Sequence, residues 1–312
     1  MKRLTKLSPN REQKLSNLFS NFMAVKEAQG IGDKTNYDYQ MQIPKFIDAS
    51  HNTTDYDTLE QDIISYFGSI PDTSPARFNK PYQYINTFLN WLIEEEYIPK
   101  NPLKANHIKK KKDEGNIKPI PQDDFIKLIK SIDKTNYTGL RDNCIAYVML
   151  DTGIRTSELL SLKNSDYNPA DRSITITKKV AKTKTSRTVY LLPNTCTLIN
   201  QFIKVKPEEW EDWLFPNYEG KQFTTNKLDK AFNNYSKLSG VKFTPYQLRH
   251  TFATYYCQQG GNVLALQKIM GHSKLEMTKR YTEIDPDYLQ NQHDQFSPAG
   301  HLTTTKIKKI KK

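Results

Sequence analysis

The chain has 312 residues, enough for two domains that each bury a core, and 37% hydrophobic residues with 18 Tyr and 14 Phe, which excludes a disordered or low-complexity chain. A net charge of +12 favours a polyanionic partner, because Lys and Arg that neutralise phosphates release condensed counterions. Cys144, Cys196 and Cys257 are odd in number, far apart and without C-x-x-C spacing, so neither a disulfide framework nor a zinc site is expected. The opening MKRLTKLSPNREQKL lacks an apolar signal region and no run is long enough to span a bilayer, so a soluble protein of a reducing cytoplasm is expected.

In chain order, Leu15, Leu18, Phe19 and Phe22 fall at i, i+3, i+4, i+7 and predict an amphipathic helix over 12–26. Two more are expected over 37–46 and 56–67, and a fourth from near Pro81, with Ile85, Phe88, Leu89 and Leu92 on one face and a stop before Pro99. These make an all-α domain over 1–108. The charged, aperiodic stretch that follows reads as a linker over 109–120, in which Lys109, Lys110, Lys111 and Lys112 could track a DNA backbone.

The second domain, 121–285, opens with Phe125, Leu128, Ile129 and Ile132 on a helical face, followed by a longer helix over 140–152 that Gly153 ends. Arg155 then stands at the start of a further helix, with Thr156 or Ser157 as its cap, where unpaired backbone N–H groups favour a phosphate. Residues 172–178 and 187–192 alternate and are β-branched, which predicts a strand pair whose tip carries Lys182, Lys184 and Arg187. Helices are expected over 194–205 and 225–238.

The densest stretch is 244–281. Thr244 and Pro245 are a helix start that sets Arg249 and His250 one turn in. A short helix from Asn262 to Met270 stops at Gly271, and Ser273 with Glu276 has the form of a capping box for a third. His272 thus sits at a corner, with Tyr281 about two turns on. The tail, 286–312, ends in TTTKIKKIKK, too charged to pack alone.

R-H-x-F-A-T, then M-G-H-S, then a Tyr nine residues past that His resembles the C-terminal signature of the tyrosine recombinases, the family of phage integrases and Xer-type enzymes. The resemblance implies a mainly α protein with a small β-sheet: a two-domain C-clamp around duplex DNA, with an all-α SAM-like core-binding domain and a catalytic domain. It implies conservative site-specific recombination through a 3′-phosphotyrosyl intermediate. That intermediate conserves the bond energy, so no cofactor, ATP or metal is required.

The resemblance supplies the roles. Arg155 matches the first family arginine and Glu158 the acidic residue that orients it. Lys182 matches the lysine that protonates the leaving oxygen, with Lys184 second; Arg249 is the second arginine, His250 its usual neighbour, His272 the histidine of the G-H motif, and Tyr281 the nucleophile. Lys109 to Lys112, Lys184 and Arg187 are expected on DNA. One position departs from the family: its second box reads H-x-x-R, and here Tyr246 replaces the histidine. A phenol with a reference pKa of about 10 is no base near pH 7.

The implied partners are double-stranded DNA at a specific site and further copies of the chain, a dimer on each site and a tetramer in synapsis, with the tail docking on a neighbouring protomer. The implied location is a prokaryotic cytoplasm, on the nucleoid. A first helix near residue 12 leaves no room for a separate arm-binding domain, which favours an Xer-like or mobile-element enzyme. A monomeric type IB topoisomerase would use the same residues. Tyr246 alone suggests a DNA-binding protein with impaired catalysis.

Overall fold

The computed structural model describes residues 13–72, 74–112, 118–282, 290, 293–295 and 297. The chain divides into two compact units, 1–115 and 116–312.

In the first unit every described element is helical: α1 (Leu15–Ala28), α2 (Asp33–Asp48), α3 (Tyr56–Ser69), α4 (Pro75–Glu94) and the single turn α5 (Pro102–Ala105). Leu15, Phe22, Ile43, Phe46, Leu59, Ile63, Ile85, Phe88 and Leu92 are fully buried together. Phe22 is the hub, with Tyr39, Phe88 and Trp91 around it at 5.2, 5.3 and 5.6 Å between ring centroids. α4 begins six residues before the expected Pro81. Ser74 caps it by accepting from the Arg77 amide, and Pro75 occupies the first helical position. Pro81 stays inside the helix and is buried, so packing outweighs the lost backbone bond. α5 was not expected; Asn101 caps it while donating to Asn86 and Asn90 of α4.

The basic run is held along α4. Lys111 exchanges backbone hydrogen bonds with the Asn79 side chain at 2.8 and 2.9 Å, and its ammonium pairs with Asp72 at 2.5 Å. The Lys110 ammonium donates to Gln83. Residues 113–117 of the expected linker lie outside the described residues.

The second unit contains α6 (Gln122–Ser131), α7 (Tyr137–Thr152), the turn α8 (Thr156–Leu159), strands β1 (Tyr167–Asn168), β2 (Ser173–Ile176) and β3 (Arg187–Tyr190), then α9 (Pro193–Lys204), α10 (Thr225–Ser239), α11 (Pro245–Gln258), α12 (Val263–Met270) and α13 (Glu276–Lys279). The sheet is antiparallel in the order β1-β2-β3, with Ile174 opposite Val189 and Ile176 opposite Arg187. It is therefore three-stranded, the two-residue β1 having too short a pattern to read. α7 is the central helix, packed on α9 and α11, and buries Ile145, Val148 and Met149. Gly153 ends it in the left-handed region, φ +62°, where an added Cβ would lie 2.4 Å from the Phe252 ring. That close approach lets α11 lie on the end of α7.

Two caps differ from expectation. The N-cap of α8 is Arg155, whose amide donates to the Glu158 carboxylate, rather than Thr156 or Ser157. α13 starts after Leu275 without a side-chain cap, so the Ser273 box does not form. Thr278 decides this, because it is fully buried and turned onto His272. Apart from residues 290, 293–295 and 297, the tail lies outside the described residues. Among the described residues, no helix is long and apolar enough to cross a membrane.

Candidate active site

Thr244 accepts from the Gln247 amide and Pro245 occupies the first position of α11, which carries Arg249 and His250 inward, 5% and 2% exposed. α12 follows and ends at Gly271, φ +61°. The His272 amide donates to the Gln267 carbonyl at 3.0 Å and the Gly271 amide to that of Lys268 at 3.1 Å, a Schellman stop. The next carbonyls, of Ile269, Met270 and Gly271, are left without backbone partners by that geometry.

Each of the three accepts from a different arginine. Arg187 Nε donates to Ile269 at 2.9 Å, Arg249 Nη2 to Met270 at 2.9 Å, and Arg155 Nη2 to Gly271 at 2.8 Å. The negative end of α12 thus gathers three cations brought from a turn after α7, a strand and α11. Arg249 is fixed a second time, by Nη1 donating to the Gly153 carbonyl.

Glu158 is the counter-ion, 0% exposed. Arg187 grips it with both terminal nitrogens, at 3.2 and 2.6 Å, Arg155 donates at 3.1 Å, and the Lys182 amide at 3.3 Å. Burial alone would raise its pKa; the hydrogen bonds and charge of Arg187, followed by the charge of Arg155, outweigh that and hold the carboxyl below its usual range. Glu158 is therefore a carboxylate that sets two arginines and one hairpin backbone at once.

His272 is 9% exposed. Its Nε2 lies 2.9 Å from Arg249 Nη2 and its Nδ1 2.8 Å from Thr278 Oγ1. A guanidinium only donates, so Nε2 accepts and the proton is on Nδ1, which donates to Thr278. Burial first, then the charges of Arg249, Arg155 and Arg187, hold its pKa down to about 4, so the ring is neutral. Tyr281 stacks nearly parallel to His272, 6.4 Å between centroids and 13° between planes, and meets the His250 ring at 5.2 Å. Burial raises the phenol's pKa despite the nearby Arg280, so Tyr281 rests protonated. Burial and then Arg155 lower Arg249 to about 10, still charged at pH 7.

Arg155, Glu158, Arg249, His250, His272 and Tyr281 are thus brought together, and Lys182 is tied to them by its amide while its side chain is exposed. Lys184 is exposed farther along the loop, at φ +54°. Tyr246 is 52% exposed with its ring 4.4 Å from that of His250. Arg187 was expected on DNA; in the structure its Nε and both terminal nitrogens are bound within the protein and its side chain is 9% exposed. The signal was present in the alternation, because Arg187 shares a strand face with the buried Val189. Thr278, which fixes the His272 tautomer, had no local signal.

Each guanidinium has five donors. Among the described residues Arg155 uses two, leaving three, and Arg249 uses three, leaving two. Those donors, beside neutral imidazoles and a protonated phenol, are suited to a phosphate whose charge grows during displacement. Among the described residues, no group of His, Cys, Asp and Glu is arranged to hold a metal ion.

The sequence model of the phage integrase family matches residues 118–287. Among curated proteins, tyrosine recombinase XerD of Listeria innocua serovar 6a is 26% identical over 296 residues, covering 90% of this chain and 98% of its own. Tyrosine recombinase XerC of Chlamydia caviae is 28% identical over 220 residues, 69% of each chain. Among solved structures, the Tn1549 transposon integrase in complex with transposon right end DNA has a TM-score of 0.75 at 18% identity, covering 91% of this chain and 99% of its own. A lambda integrase dimer bound to a COC′ core site has a TM-score of 0.71 at 18% identity, covering 88% and 100%; a lambda integrase tetramer bound to a Holliday junction has 0.71 at 17%, covering 88% and 80%.

Proposed function

We infer the function from the family: this chain belongs to the phage integrase family of tyrosine recombinases, and it is a site-specific recombinase that cuts and rejoins DNA strands. The observation that carries the assignment to residues is the end of α12, where Arg155, Arg249 and Arg187 meet three successive carbonyls beside His272 and Tyr281.

In this reading Tyr281 Oη attacks a backbone phosphorus and forms a 3′-phosphotyrosyl bond as the bond to the 5′ oxygen breaks. Arg155 and Arg249 use their remaining donors on the non-bridging oxygens, and Glu158 keeps Arg155 in register. The Lys182 ammonium gives a proton to the leaving oxygen. The bond of its amide to Glu158 supports Lys182 over Lys184 for this, since it ties that residue to the site. His272, neutral, steadies Arg249. Tyr246, half exposed, hydrogen-bonds the phosphate.

The partner is duplex DNA at a specific site, bound by a core-binding domain over 1–108, of SAM-like type, and a catalytic domain over 121–285, joined by 109–120. Lys109 to Lys112 and Lys184 contact the DNA backbone. The matched lambda integrases, a dimer on a core site and a tetramer on a Holliday junction, support two protomers per site and four in synapsis, with the tail exchanged between protomers. The setting is a prokaryotic cytoplasm, on the nucleoid.

Two assays separate this from its rivals. A suicide duplex that traps a denaturation-resistant adduct excludes a purely DNA-binding role. Rejoining that requires two copies of the trapped sequence, without relaxation of a plasmid lacking it, excludes a monomeric topoisomerase; relaxation of any supercoiled plasmid would overturn the recombinase reading.

A further inference from the structure

Cleavage must take a proton from the Tyr281 phenol, and two obvious acceptors are unsuited to it. Tyr246 stands where the motif has an imidazole, and a phenol is too weak a base to take the place of that ring near neutrality. His272 has its nitrogen lone pair engaged by Arg249 and its proton by Thr278.

His250 differs from both. It follows Arg249 on α11, is 2% exposed, and its ring meets two phenol rings, Tyr246 at 4.4 Å and Tyr281 at 5.2 Å between centroids. Its Nε2 is buried and has no hydrogen-bond partner among the described residues. Buried polar atoms are nearly always paired, so an open nitrogen in direct ring contact with the nucleophile marks a place for a proton that arrives during the reaction.

We propose that His250 is the general base for Tyr281, a duty that its neighbour Tyr246 cannot perform in this chain. The proposal rests on the recombinase reading above. As Tyr281 Oη forms its bond to phosphorus, the O–H proton passes to Nε2 of neutral His250. The P–O5′ bond breaks, its electron pair leaves with the 5′ oxygen, and that oxygen takes a proton from the Lys182 ammonium. Religation reverses each transfer: the imidazolium returns the proton to the phenolate as the 5′ hydroxyl gives its own to the lysine.

The surroundings support the direction of transfer. Without DNA, burial and then the charges of Arg280 and Arg249 hold His250 at about 4. The groups that face it are Tyr246 and Arg249 from α11, and Arg280 and Tyr281 from the segment after α13. A phosphate bound by the arginines brings negative charge that offsets theirs, which raises the basicity of His250 only when substrate is present.

The test uses the full chain and a duplex obtained from randomised DNA by covalent capture with the wild-type protein. That duplex is made with an ordinary phosphodiester and with a bridging sulfur in place of the 5′ oxygen, a leaving group that needs no proton. His250→Gln and Lys182→Ala should each slow adduct formation on the ordinary duplex, by about 100- to 10,000-fold for general acid or base loss. Sulfur should restore Lys182→Ala and leave His250→Gln slow. His250→Gly should regain rate with added imidazole, rising with its unprotonated fraction, and this separates base loss from misfolding. Wild-type rate in His250→Gln, its rescue by sulfur, or no imidazole response in a folded His250→Gly would each overturn the assignment. If wild type captures no duplex at all, the recombinase reading fails and this assignment falls with it.

Discussion

Replacing Arg187 by Ala separates a positioning role from a DNA contact. The change removes two hydrogen bonds to the fully buried Glu158, at 3.2 and 2.6 Å, and one to the Ile269 carbonyl at 2.9 Å. Among the described residues Glu158 then keeps only Arg155 as a charged partner. Breaking a buried pair from one side costs about 3–5 kcal/mol, since the remaining charge stays desolvated. For a unit of this size that lowers Tm by about 6–20 °C, at about 2–4 °C per kcal/mol. Calorimetry of Arg187→Ala, Glu158→Gln and the double variant measures it: the double should be no worse than the Arg187 single, because the stranded carboxylate is gone. An Arg187 that instead contacted phosphate would leave stability within about 0.5 kcal/mol of wild type. It would also lower the slope of log K against log salt by about 1. That pair of results would refute the geometry described.

Gly271→Ala should destabilise more than Gly240→Ala. Both glycines are left-handed, φ +61° and +70°, but a Cβ at 271 would lie 2.8 Å from Arg187 Nη1 whereas nothing lies within 4 Å at 240; equal losses on thermal melting would show that the guanidinium does not pack there. Glu158 should make stability fall in acid. Its folded pKa lies below its unfolded value of about 4.3, so its contribution is full above that pH and is lost as pH falls through the lower folded value. The stability gap between wild type and Glu158→Gln should therefore shrink below about pH 4, and a gap constant from pH 7 to 3 would contradict this. Tyr246→His should form adduct at least as fast as wild type; an inactive variant would show that the phenol itself is required.

Most of the site could be read locally because its residues announce their own geometry. Thr244-Pro245 and Gly271 are start and stop signals that depend only on neighbouring backbone, and they place Arg249 and His272 correctly. Contacts across long stretches of chain were not legible. Arg187 meets Glu158 and Ile269, 29 and 82 positions away, and beside a lysine-rich tip it reads as surface. The Schellman stop could be anticipated, but not that the carbonyls beyond it would each receive an arginine. In the first unit Pro81 obscured the start of α4, because a proline usually bounds a helix and here is tolerated within one. Ser273 misled in the opposite way: a cap motif yields when a residue such as Thr278, five positions on, must be buried.

Attack by the phenolic oxygen of Tyr281 is tested most directly by proteolysis of the trapped protein–DNA adduct followed by mass spectrometry. A nucleotide remnant joined to the peptide containing Tyr281 is expected, and no adduct from Tyr281→Phe. A remnant on Tyr246, Tyr255 or Tyr256, or an undiminished adduct from Tyr281→Phe, would contradict it.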